Sequence, residues 1–350
     1  MRIAFTLCSN NYLAQAKTLG DSLIEHNPDY EFVIGLVDRK RDDVDYDFFR
    51  PHGIIKIEEI GIPKFAELGK RYGIIELNTA VKPFLFQHLL KSNPDAKGVI
   101  YLDPDIMVFG SLDSIYEDLD RHSLVLTPHA LSPIPLDDHR PQENVFLAYG
   151  IYNLGFIAVA NVAEGRRFLN WWGERTFHLG DISPEKGLFV DQLWLNLATV
   201  FFDNVKVSLN PGLNVSYWNL HERNISRKSD VVLINEKVPL VFYHFSSYKP
   251  ADPSCMSPYQ DRYSFETRPD VAQLFDIYSR NLAANRHDYF STIECHYVNQ
   301  RREYLETEQR KAELGNERTG FVQQAKRLTP NFIKQLSLSL IRKVESLRTQ

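Results

Sequence analysis

The start of the chain alternates between apolar runs and an amphipathic stretch in the order strand, turn, helix, strand. Residues 3–7 form a short β-prone apolar run, residues 9–11 supply turn chemistry, and residues 12–26 carry leucines and alanines at helical spacing. Residues 31–38 form a second apolar run that ends in Asp38. Two parallel strands joined by a helix fit this order. The pattern therefore predicts an α/β fold with a parallel sheet.

The same alternation continues along most of the chain. Apolar runs predict strands at 54–57, 98–102, 123–127, 155–160 and within 234–245, and amphipathic segments predict helices at 64–91, 163–177 and 191–200. From Pro269 onward the segments are helical in pattern and rich in charge. We therefore expect a mostly parallel central sheet flanked by helices in residues 1–261 and a helical C-terminal region in residues 262–350.

Charge and cysteine content exclude several classes of protein. The 40 Lys and Arg residues against 45 Asp and Glu residues give a net charge of −5, which does not suit a general nucleic-acid binder. Cys8, Cys255 and Cys295 are too widely spaced for a disulfide framework or a cysteine zinc site. No apolar run has the length of a signal-peptide core or a membrane span. We expect a cytoplasmic protein.

Two carboxylates interrupt a nearly continuous apolar run. Residues 99–102 and 106–109 are apolar, and Asp103-Pro104-Asp105 lies between them. Because residues i and i+2 of an extended chain point to the same side, Asp103 and Asp105 can converge on one hard divalent cation. The end of a parallel strand is also where open α/β sheets bind ligands. The alternative is that both acids cap a turn or pair with surface cations.

The segment 99–113 resembles the Asp-x-Asp segment of nucleotide-sugar glycosyltransferases of the GT-A fold, and it is most similar to glycosyltransferase family 8. That family includes bacterial lipopolysaccharide galactosyl- and glucosyltransferases and glycogenin. Further segments resemble its motifs in the same order: Tyr152-Asn153-Leu154-Gly155-Phe156, Asp191-Gln192, and His244 with Lys249-Pro250. The resemblance covers residues 1–250, and it implies a Rossmann-like GT-A sheet and a sugar-transfer reaction.

The resemblance implies a Mn²⁺ or Mg²⁺ ion held by Asp103, Asp105 and His244, with Asp103 also near the ribose. Such a cation would neutralise the donor diphosphate and stabilise the leaving nucleoside diphosphate. Taken alone, His244 is equally consistent with a structural histidine after an apolar strand. Lys249 would contact a phosphate, but it lies one residue closer to His244 than in the family motif, and Ser247 stands where glycine is usual.

The same resemblance implies that Asn153, Asp191 and Gln192 reach the donor sugar and that Lys82 contacts the donor. Amide and carboxylate groups can recognise sugar hydroxyls by hydrogen bonds. Each residue also has a structural interpretation: Asn153 as the start of a strand, Asp191 as the N-cap of a helix over 192–200, and Lys82 as a solvated surface lysine.

Polar residues at the ends of the first two strands form a candidate nucleotide site. These residues are Thr6, Ser9, Asn10, Asn11 and Asp38. They belong to the edge where parallel sheets bind nucleotides, and the resemblance implies uridine as the base. Glycine-rich dinucleotide and Walker A patterns are missing from the sequence, which argues against a dehydrogenase or an ATP-dependent phosphotransferase.

The acceptor side is expected to involve the proline-rich polar loop 128–144 and the aromatic segment 214–221. The candidate acid, base and sugar-stacking residues are His129, Asp137, Asp138, His139, Glu143, Tyr217, Trp218 and His221. A surface loop and ordinary core aromatics are the alternatives.

Together these features predict a metal-dependent glycosyltransferase, with retention of configuration implied by the resemblance. It would transfer a sugar from a nucleotide diphosphate donor, a UDP-sugar by resemblance, to a glycan or lipid-linked glycan in bacterial surface-polysaccharide synthesis. The alternatives are a non-catalytic glycan-binding or scaffold protein of the same fold and a sugar nucleotidyltransferase. The basic amphipathic tail from Phe321 could bind the inner face of an anionic membrane, or pack on its own protein.

Overall fold

The computed structural model describes residues 1–313. The chain divides into two compact units, Met1–Val298 and Asn299–Gln350. In the second unit, residues 299–313 are helical and mostly exposed. The tail from Phe321, predicted to contact a membrane, lies outside the described residues. No helix among residues 1–313 is long and apolar enough to cross a membrane.

The strands carry the expected apolar runs and are numbered in chain order. They are β1 (Arg2–Cys8), β2 (Tyr30–Leu36), β3 (Gly53–Lys56), β4 (Gly98–Leu102), β5 (Ile106–Val108), β6 (Leu124–Pro128), β7 (Tyr152–Ala160), β8 (Ile182–Ser183), β9 (Leu188–Phe189), β10 (Val205–Val207), β11 (Ile225–Lys228), β12 (Val231–Ile234), β13 (Val238–Pro239) and β14 (Phe242–His244).

The α-helices are also numbered in chain order. They are α1 (Leu13–His26), α2 (Phe65–Arg71), α3 (Ile74–Ala80), α4 (Lys82–Ser92), α5 (Asp113–Asp118), α6 (Glu143–Tyr149), α7 (Ala163–Leu179), α8 (Ala198–Phe201), α9 (Pro269–Ala284) and α10 (His287–Phe290). Residues 296–313 are also helical.

Seven strands form the central sheet in the order β10-β6-β7-β4-β1-β2-β3. Neighbouring strands are parallel except at β7, which is antiparallel to both β4 and β6. Because β7 runs in reverse, its first residues lie at the edge where β1, β2 and β4 end. The predicted α/β fold with a mostly parallel sheet flanked by helices is therefore confirmed.

The sheet is covered on both faces, as expected when strands are apolar on both sides. On one face Phe5 and Val99 pack in a cluster with residues of α3, α4 and α7. On the other face Ala4 and Ile100 pack in a cluster with α1 and α5. The apolar runs of β1 and β4 thus reflect burial on both faces.

Two predicted helices are divided in the structure. The predicted helix 64–91 is three helices, α2, α3 and α4. Gly73, in an extended conformation, separates the first two, and α4 has a proline in its first turn, where proline is tolerated best. The predicted helix 191–200 is a 3₁₀ segment, Leu193–Leu197, followed by the short α8.

Helix α9 packs within the first unit, although it lies beyond residue 261. Its residues Val271, Leu274, Phe275, Tyr278 and Leu282 are buried in a third apolar cluster. The Phe245 ring stacks on Tyr278 with 4.0 Å between ring centroids. The compact unit therefore reaches beyond the predicted catalytic domain of residues 1–261.

Candidate metal and nucleotide site

Two short antiparallel strands bring two carboxylates and an imidazole together. Strand β4 ends at Leu102, a turn carries Asp103 and Asp105, and β5 then pairs with β14 so that His244 lies opposite Ile106. The Nε2 atom of His244 is 3.0 Å from Oδ1 of Asp105 and 3.8 Å from Oδ2 of Asp103. The structure thus joins residues that are about 140 positions apart in the sequence.

The charges of this cluster stabilise one another. Burial acts to lower the pKa of His244, but the charges of Asp105 and Asp103 outweigh it and the pKa is raised. Burial acts to raise the pKa of Asp105, but His244 and backbone N–H donors outweigh it and the pKa is lowered. Burial raises the pKa of Asp103 despite the charges of Lys82 and His244. The two carboxylates therefore favour the protonated imidazole of His244, and the imidazole favours the ionised form of Asp105.

Hydrogen bonds hold both carboxylates in place. The hydroxyl of Tyr101 donates to Oδ1 of Asp103, and the backbone N–H of Ser247 donates to the carboxylate of Asp105. Ser247 has φ of +62°, the left-handed conformation that glycine adopts most readily. The serine therefore holds a backbone conformation that suits glycine better than residues with side chains.

The cluster has the composition and spacing of a divalent-cation site. One ligand atom from each of Asp103, Asp105 and His244 lies within 4.8 Å of the others. A cation with bonds of about 2.1 Å separates opposite ligands by about 4.2 Å, so small side-chain movements would close the site. The Asp103 and Asp105 side chains are 31% and 23% exposed, which leaves the cluster open to solvent. Two carboxylates and an imidazole suit Mn²⁺ or Mg²⁺.

The start of β7 lies directly against His244. A Cβ atom at Gly155 would lie 2.4 Å from Cε1 and 2.5 Å from Nδ1 of the imidazole. Oδ1 of Asn153 accepts hydrogen bonds from the backbone N–H of Gly155, at 3.0 Å, and from Nδ2 of Asn214, at 2.9 Å. Asn153 lies in β7, as its structural interpretation anticipated, and it also borders the cluster.

Lys82 and Asp191 form a buried ion pair beside the carboxylates. Each side chain is 2% exposed, and Nζ of Lys82 is 2.7 Å from Oδ2 of Asp191. Lys82 also donates to the carbonyl oxygen of Leu154 at 3.0 Å and lies 4.0 Å from the ring centroid of Tyr101. The alternative of a surface lysine is therefore wrong, because Lys82 is buried against Asp191. The alternative of a helix-capping aspartate is also wrong, because the residue before the helical segment Leu193–Leu197 is Gln192.

Gln192 makes two hydrogen bonds to the backbone. Its Oε1 accepts from the N–H of Leu154 at 3.0 Å, and its Nε2 donates to the carbonyl oxygen of Tyr149 at 2.9 Å. These bonds connect the loop after α7 to the start of β7. In this structure the amide of Gln192 therefore orients β7 next to the cluster.

The predicted nucleotide residues lie at the expected edge but differ in accessibility. Asp38 accepts from Nδ2 of Asn10 at 2.8 Å and from the backbone N–H of His296 at 2.9 Å, and both Asp38 and Asn10 are 1% exposed. Thr6 is completely buried. Asn11 remains accessible and accepts from the hydroxyl of Ser9. Asn10 and Asp38 thus shape this edge from beneath its surface.

The phosphate and acceptor candidates lie on loops. Lys249 is exposed in the segment that follows β14. The loop 128–144 is tied down by the ion pairs Arg262–Asp137 and Arg140–Asp261. Trp218 is only 4% exposed and meets His244 edge-on at 5.2 Å, so it packs against the Asp103–Asp105–His244 cluster instead of offering an open stacking face.

His129 has both ring nitrogens engaged, which does not suit a general base. Its Nδ1 lies 3.1 Å from the carbonyl oxygen of Ile151, and its Nε2 lies 3.2 Å from Nδ2 of Asn153. Burial lowers its pKa to about 4. His221 contacts the carbonyl oxygen of Ser132 at 3.1 Å, so it too is engaged in the loop.

Sequence reasoning missed two residues of the site. The sequence pattern indicated Tyr101 only as part of an apolar strand, yet its hydroxyl donates a hydrogen bond to Asp103. Oδ1 of Asn214 is 3.3 Å from Nδ1 of His244, and Asn214 has φ of +53°. The Asn-Pro-Gly-Leu-Asn sequence at 210–214 signals a turn, but nothing in it indicates which side chain the turn would meet.

The chain is similar to known sequences and to solved structures. No protein-family model matches the chain. Two Bacillus subtilis (strain 168) proteins, both named uncharacterized, are similar: YfnF is 29% identical over 202 residues (58% of this chain, 65% of YfnF), and YfnD is 24% identical over 250 residues (69% of this chain, 76% of YfnD). The match to YfnF thus spans less than two thirds of that relative's length.

Several solved structures are also similar. The galactosyltransferase LgtC in complex with donor and acceptor sugar analogues is 17% identical with a TM-score of 0.47, covering 86% of this chain and 100% of that chain. GlyE of Streptococcus pneumoniae TIGR4 is 17% identical with a TM-score of 0.46, covering 84% and 66%. The bifunctional WbbM is 14% identical with a TM-score of 0.48, covering 84% and 52%. All three are named as glycosyltransferases, the class that the motifs resemble.

Proposed function

We propose that the protein is a metal-dependent glycosyltransferase that uses a UDP-sugar and transfers the sugar to a glycan or lipid-linked glycan. The observation that carries this proposal is the cluster of Asp103, Asp105 and His244 at the edge where the parallel strands end. Two accessible carboxylates with a buried imidazole suit a cation that neutralises a diphosphate. A carboxylate cluster with a purely structural role would not need this exposure.

The roles of the surrounding residues follow from where they lie. Asp103, Asp105 and His244 would hold Mn²⁺ or Mg²⁺, whose charge would stabilise the departing nucleoside diphosphate. The Lys82–Asp191 pair is rigid, buried and adjacent to Asp103, so it would present fixed charges toward the donor sugar. Fixed charges need little reorganisation during reaction.

Other residues would bind the ends of the donor. Asn153 and Gln192 border the sugar side, and Lys249, exposed after β14, would contact the diphosphate. Asn11 would contact the nucleoside, with Thr6, Asn10 and Asp38 beneath it. The motif resemblance supports retention of configuration, with Asp191 close to the anomeric carbon. We place the activity in the cytoplasm, in bacterial surface-polysaccharide synthesis.

Nucleotide binding is the first test of this proposal. We expect calorimetric titration with UDP, GDP, CMP and dTDP, each with and without Mn²⁺, to show binding of UDP that requires the metal. If no nucleotide binds under any condition, the catalytic proposal fails in favour of a non-catalytic glycan-binding protein. Release of pyrophosphate from a nucleoside triphosphate and a sugar phosphate would instead identify a nucleotidyltransferase.

Replacement of Asp105 tests the metal site directly. We expect Asp105→Ala to abolish Mn²⁺-dependent UDP binding and to lower turnover at least a hundredfold, because the carboxylate is a predicted ligand on the cluster. The control is Asp95→Ala, which removes an exposed carboxylate outside the cluster. Unchanged turnover in Asp105→Ala would disprove the metal assignment.

The stereochemical course has its own measurement. Once a donor and acceptor are known, NMR of the product anomer should show the configuration of the donor retained. An inverted product would contradict the resemblance to family 8 without affecting the metal site.

A further inference from the structure

A chain of buried hydrogen-bonding side chains leads from the backbone at Ile151 to the metal cluster. Its members are His129, Asn153, Asn214 and His244, which are 8%, 8%, 0% and 3% exposed. The successive contacts are 3.2 Å from His129 to Asn153, 2.9 Å from Asn153 to Asn214, and 3.3 Å from Asn214 to His244. Because bulk water does not reach these groups, each must find its partner within the chain.

The direction of each hydrogen bond follows from two backbone groups, one of which can only accept a hydrogen bond and the other only donate one. The carbonyl oxygen of Ile151 can only accept, so Nδ1 of His129, 3.1 Å away, carries a hydrogen. A neutral His129, in keeping with its pKa of about 4, then has an accepting Nε2, which receives Nδ2–H of Asn153. Independently, the backbone N–H of Gly155 can only donate, so the Asn153 atom that it meets at 3.0 Å is the oxygen.

These two constraints agree, and they determine the donors and acceptors of the remaining hydrogen bonds in the series. Since Oδ1 of Asn153 is an acceptor, the Asn214 atom 2.9 Å from it is the donor Nδ2, whose second hydrogen is directed to Oγ1 of Thr127 at 3.0 Å. Oδ1 of Asn214 therefore faces His244. A flipped Asn214 amide would place two oxygens against each other at Asn153, which a buried site does not tolerate.

The imidazole of His244 consequently keeps a hydrogen on Nδ1. Its other nitrogen, Nε2, faces Oδ1 of Asp105 at 3.0 Å and Oδ2 of Asp103 at 3.8 Å. Ring packing holds the imidazole in place, because Trp218 meets it edge-on and its Cε1 and Nδ1 atoms lie directly against Gly155. A cation between the carboxylates would thus meet Nε2 as its nitrogen ligand.

We propose that Asn214 is the positioning residue of the metal site: it holds the proton of His244 on Nδ1 so that Nε2 is presented to the cation. The proposal rests on the proposed metal site, but the hydrogen bond itself exists without metal. Partners of this kind tune metal-binding histidines by fixing the tautomer and the ring orientation.

The conformation of Asn214 determines which variants test this role. With φ of +53°, the position accepts glycine without strain, so Asn214→Gly removes the side chain and leaves the backbone undisturbed. Asn214→Asp keeps an oxygen facing Nδ1 and, with its carboxyl group protonated, can still donate to Oδ1 of Asn153, but it loses the donor to Thr127. The matched control is Ser216→Ala, which removes a buried 2.7 Å hydrogen bond to the carbonyl oxygen of His244 without affecting the imidazole.

The first readout is NMR of the metal-free full-length protein labelled with ¹⁵N-histidine. We expect a slowly exchanging Nδ1–H signal of His244, assigned by its loss in His244→Gln. It should persist in Asn214→Asp and Ser216→Ala and disappear in Asn214→Gly. Absence of the signal from the wild type, or its persistence in Asn214→Gly, would overturn the proposal.

The second readout is Mn²⁺ affinity, measured by the decrease of the free-ion EPR signal. We expect Asn214→Gly to bind Mn²⁺ about 10- to 100-fold more weakly than the wild type, with Ser216→Ala unchanged and Asn214→Asp closer to the wild type. Equal affinity in Asn214→Gly would overturn the positioning role. If the wild type itself binds no Mn²⁺, the proposed metal site fails, whereas the NMR signal still decides whether Asn214 holds the proton.

Discussion

Gly155 shows how one missing side chain determines the geometry of the candidate metal site. The imidazole of His244 occupies the space where a Cβ would project, with Oδ1 of Asn153 2.8 Å from the same point. His244 cannot retreat, because Trp218 lies on its edge and its backbone is paired with β5. Any side chain at this position must therefore displace His244, a predicted metal ligand.

Gly155→Ala tests this conclusion. We expect the added methyl group to move His244, to weaken Mn²⁺ binding at least tenfold and to lower the free energy of unfolding by about 1–3 kcal/mol. Calorimetry and denaturant unfolding would measure both effects. The control is Gly53→Ala, where the nearest atom to the new Cβ is 3.8 Å away. Wild-type Mn²⁺ affinity in Gly155→Ala would show that the imidazole can shift freely.

The backbone conformation of Ser247 restricts the side chains that this position accepts. Its positive φ disfavours branched side chains, while the group that Asp105 uses is the backbone N–H. We expect Ser247→Gly to keep Mn²⁺ binding and stability, and Ser247→Val to lose about 1–2 kcal/mol of unfolding free energy. If valine were as stable as glycine in urea unfolding, the conformation would not be strained.

Among the contacts between helices and loops, the buried Lys82–Asp191 ion pair connects the start of α4 to the loop after β9. Both charges are buried, so removing one leaves the other uncompensated. Such a change is far more damaging than removal of an exposed ion pair, whose contribution is about 0–1 kcal/mol. The pair therefore makes the position of α4 depend on a residue that lies more than a hundred positions further along the chain.

Lys82→Met tests the pair and has a defined pH dependence. We expect a loss of about 3–5 kcal/mol in unfolding free energy near neutral pH. Burial already raises the pKa of Asp191, and the loss of Lys82, which opposes that rise, should raise it further. A native state with a raised carboxyl pKa is most stable when the group is protonated, and it loses stability as pH rises through that pKa.

The defect of Lys82→Met should therefore be larger at about pH 8 than at about pH 5. Urea unfolding at both pH values would measure it, and Lys82→Met combined with Asp191→Asn should recover part of the loss. A defect of equal size at both pH values would indicate that lost packing, and not an uncompensated carboxylate, is responsible.

Most helices and strands were predictable from the sequence, but the contacts between their side chains were not. The runs at β1, β2 and β4 are apolar because both faces are buried, and burial on both faces leaves a clear signal. The reversed direction of β7 leaves no signal in the sequence, because an apolar strand has the same pattern in either direction. Carboxylates within an apolar run identified Asp103 and Asp105, whereas a buried Asn214 has no pattern around it to reveal its partner.

For the whole molecule, the compact unit Met1–Val298 includes a helix that the sequence placed outside the catalytic domain. The α9 residues in the third cluster pack around Phe245, immediately after His244. Fully burying one large apolar side chain contributes about 1.5–3 kcal/mol, while a whole protein has a net stability of only about 5–15 kcal/mol. We therefore expect the fold to require α9.

Truncation tests this boundary. We expect a chain that ends at Val298 to unfold cooperatively and to bind UDP with Mn²⁺ like the full chain, because the first unit is complete. A chain that ends at Asp261 should be unfolded or aggregated, since it lacks α9. Circular dichroism and calorimetry would distinguish the two. A folded, nucleotide-binding 1–261 fragment would instead support the predicted domain boundary at that residue.

The pairing of β5 with β14 also bears on how the protein is made. The carboxylates leave the ribosome long before His244, and synthesis proceeds at about 5–20 residues per second. At that rate, for about 7–28 seconds the nascent chain carries both carboxylates without their histidine partner. Only when β14 emerges can the imidazole arrive, and only when α9 emerges is the third apolar cluster complete. Until then the apolar residues of this cluster lack the partners that α9 supplies.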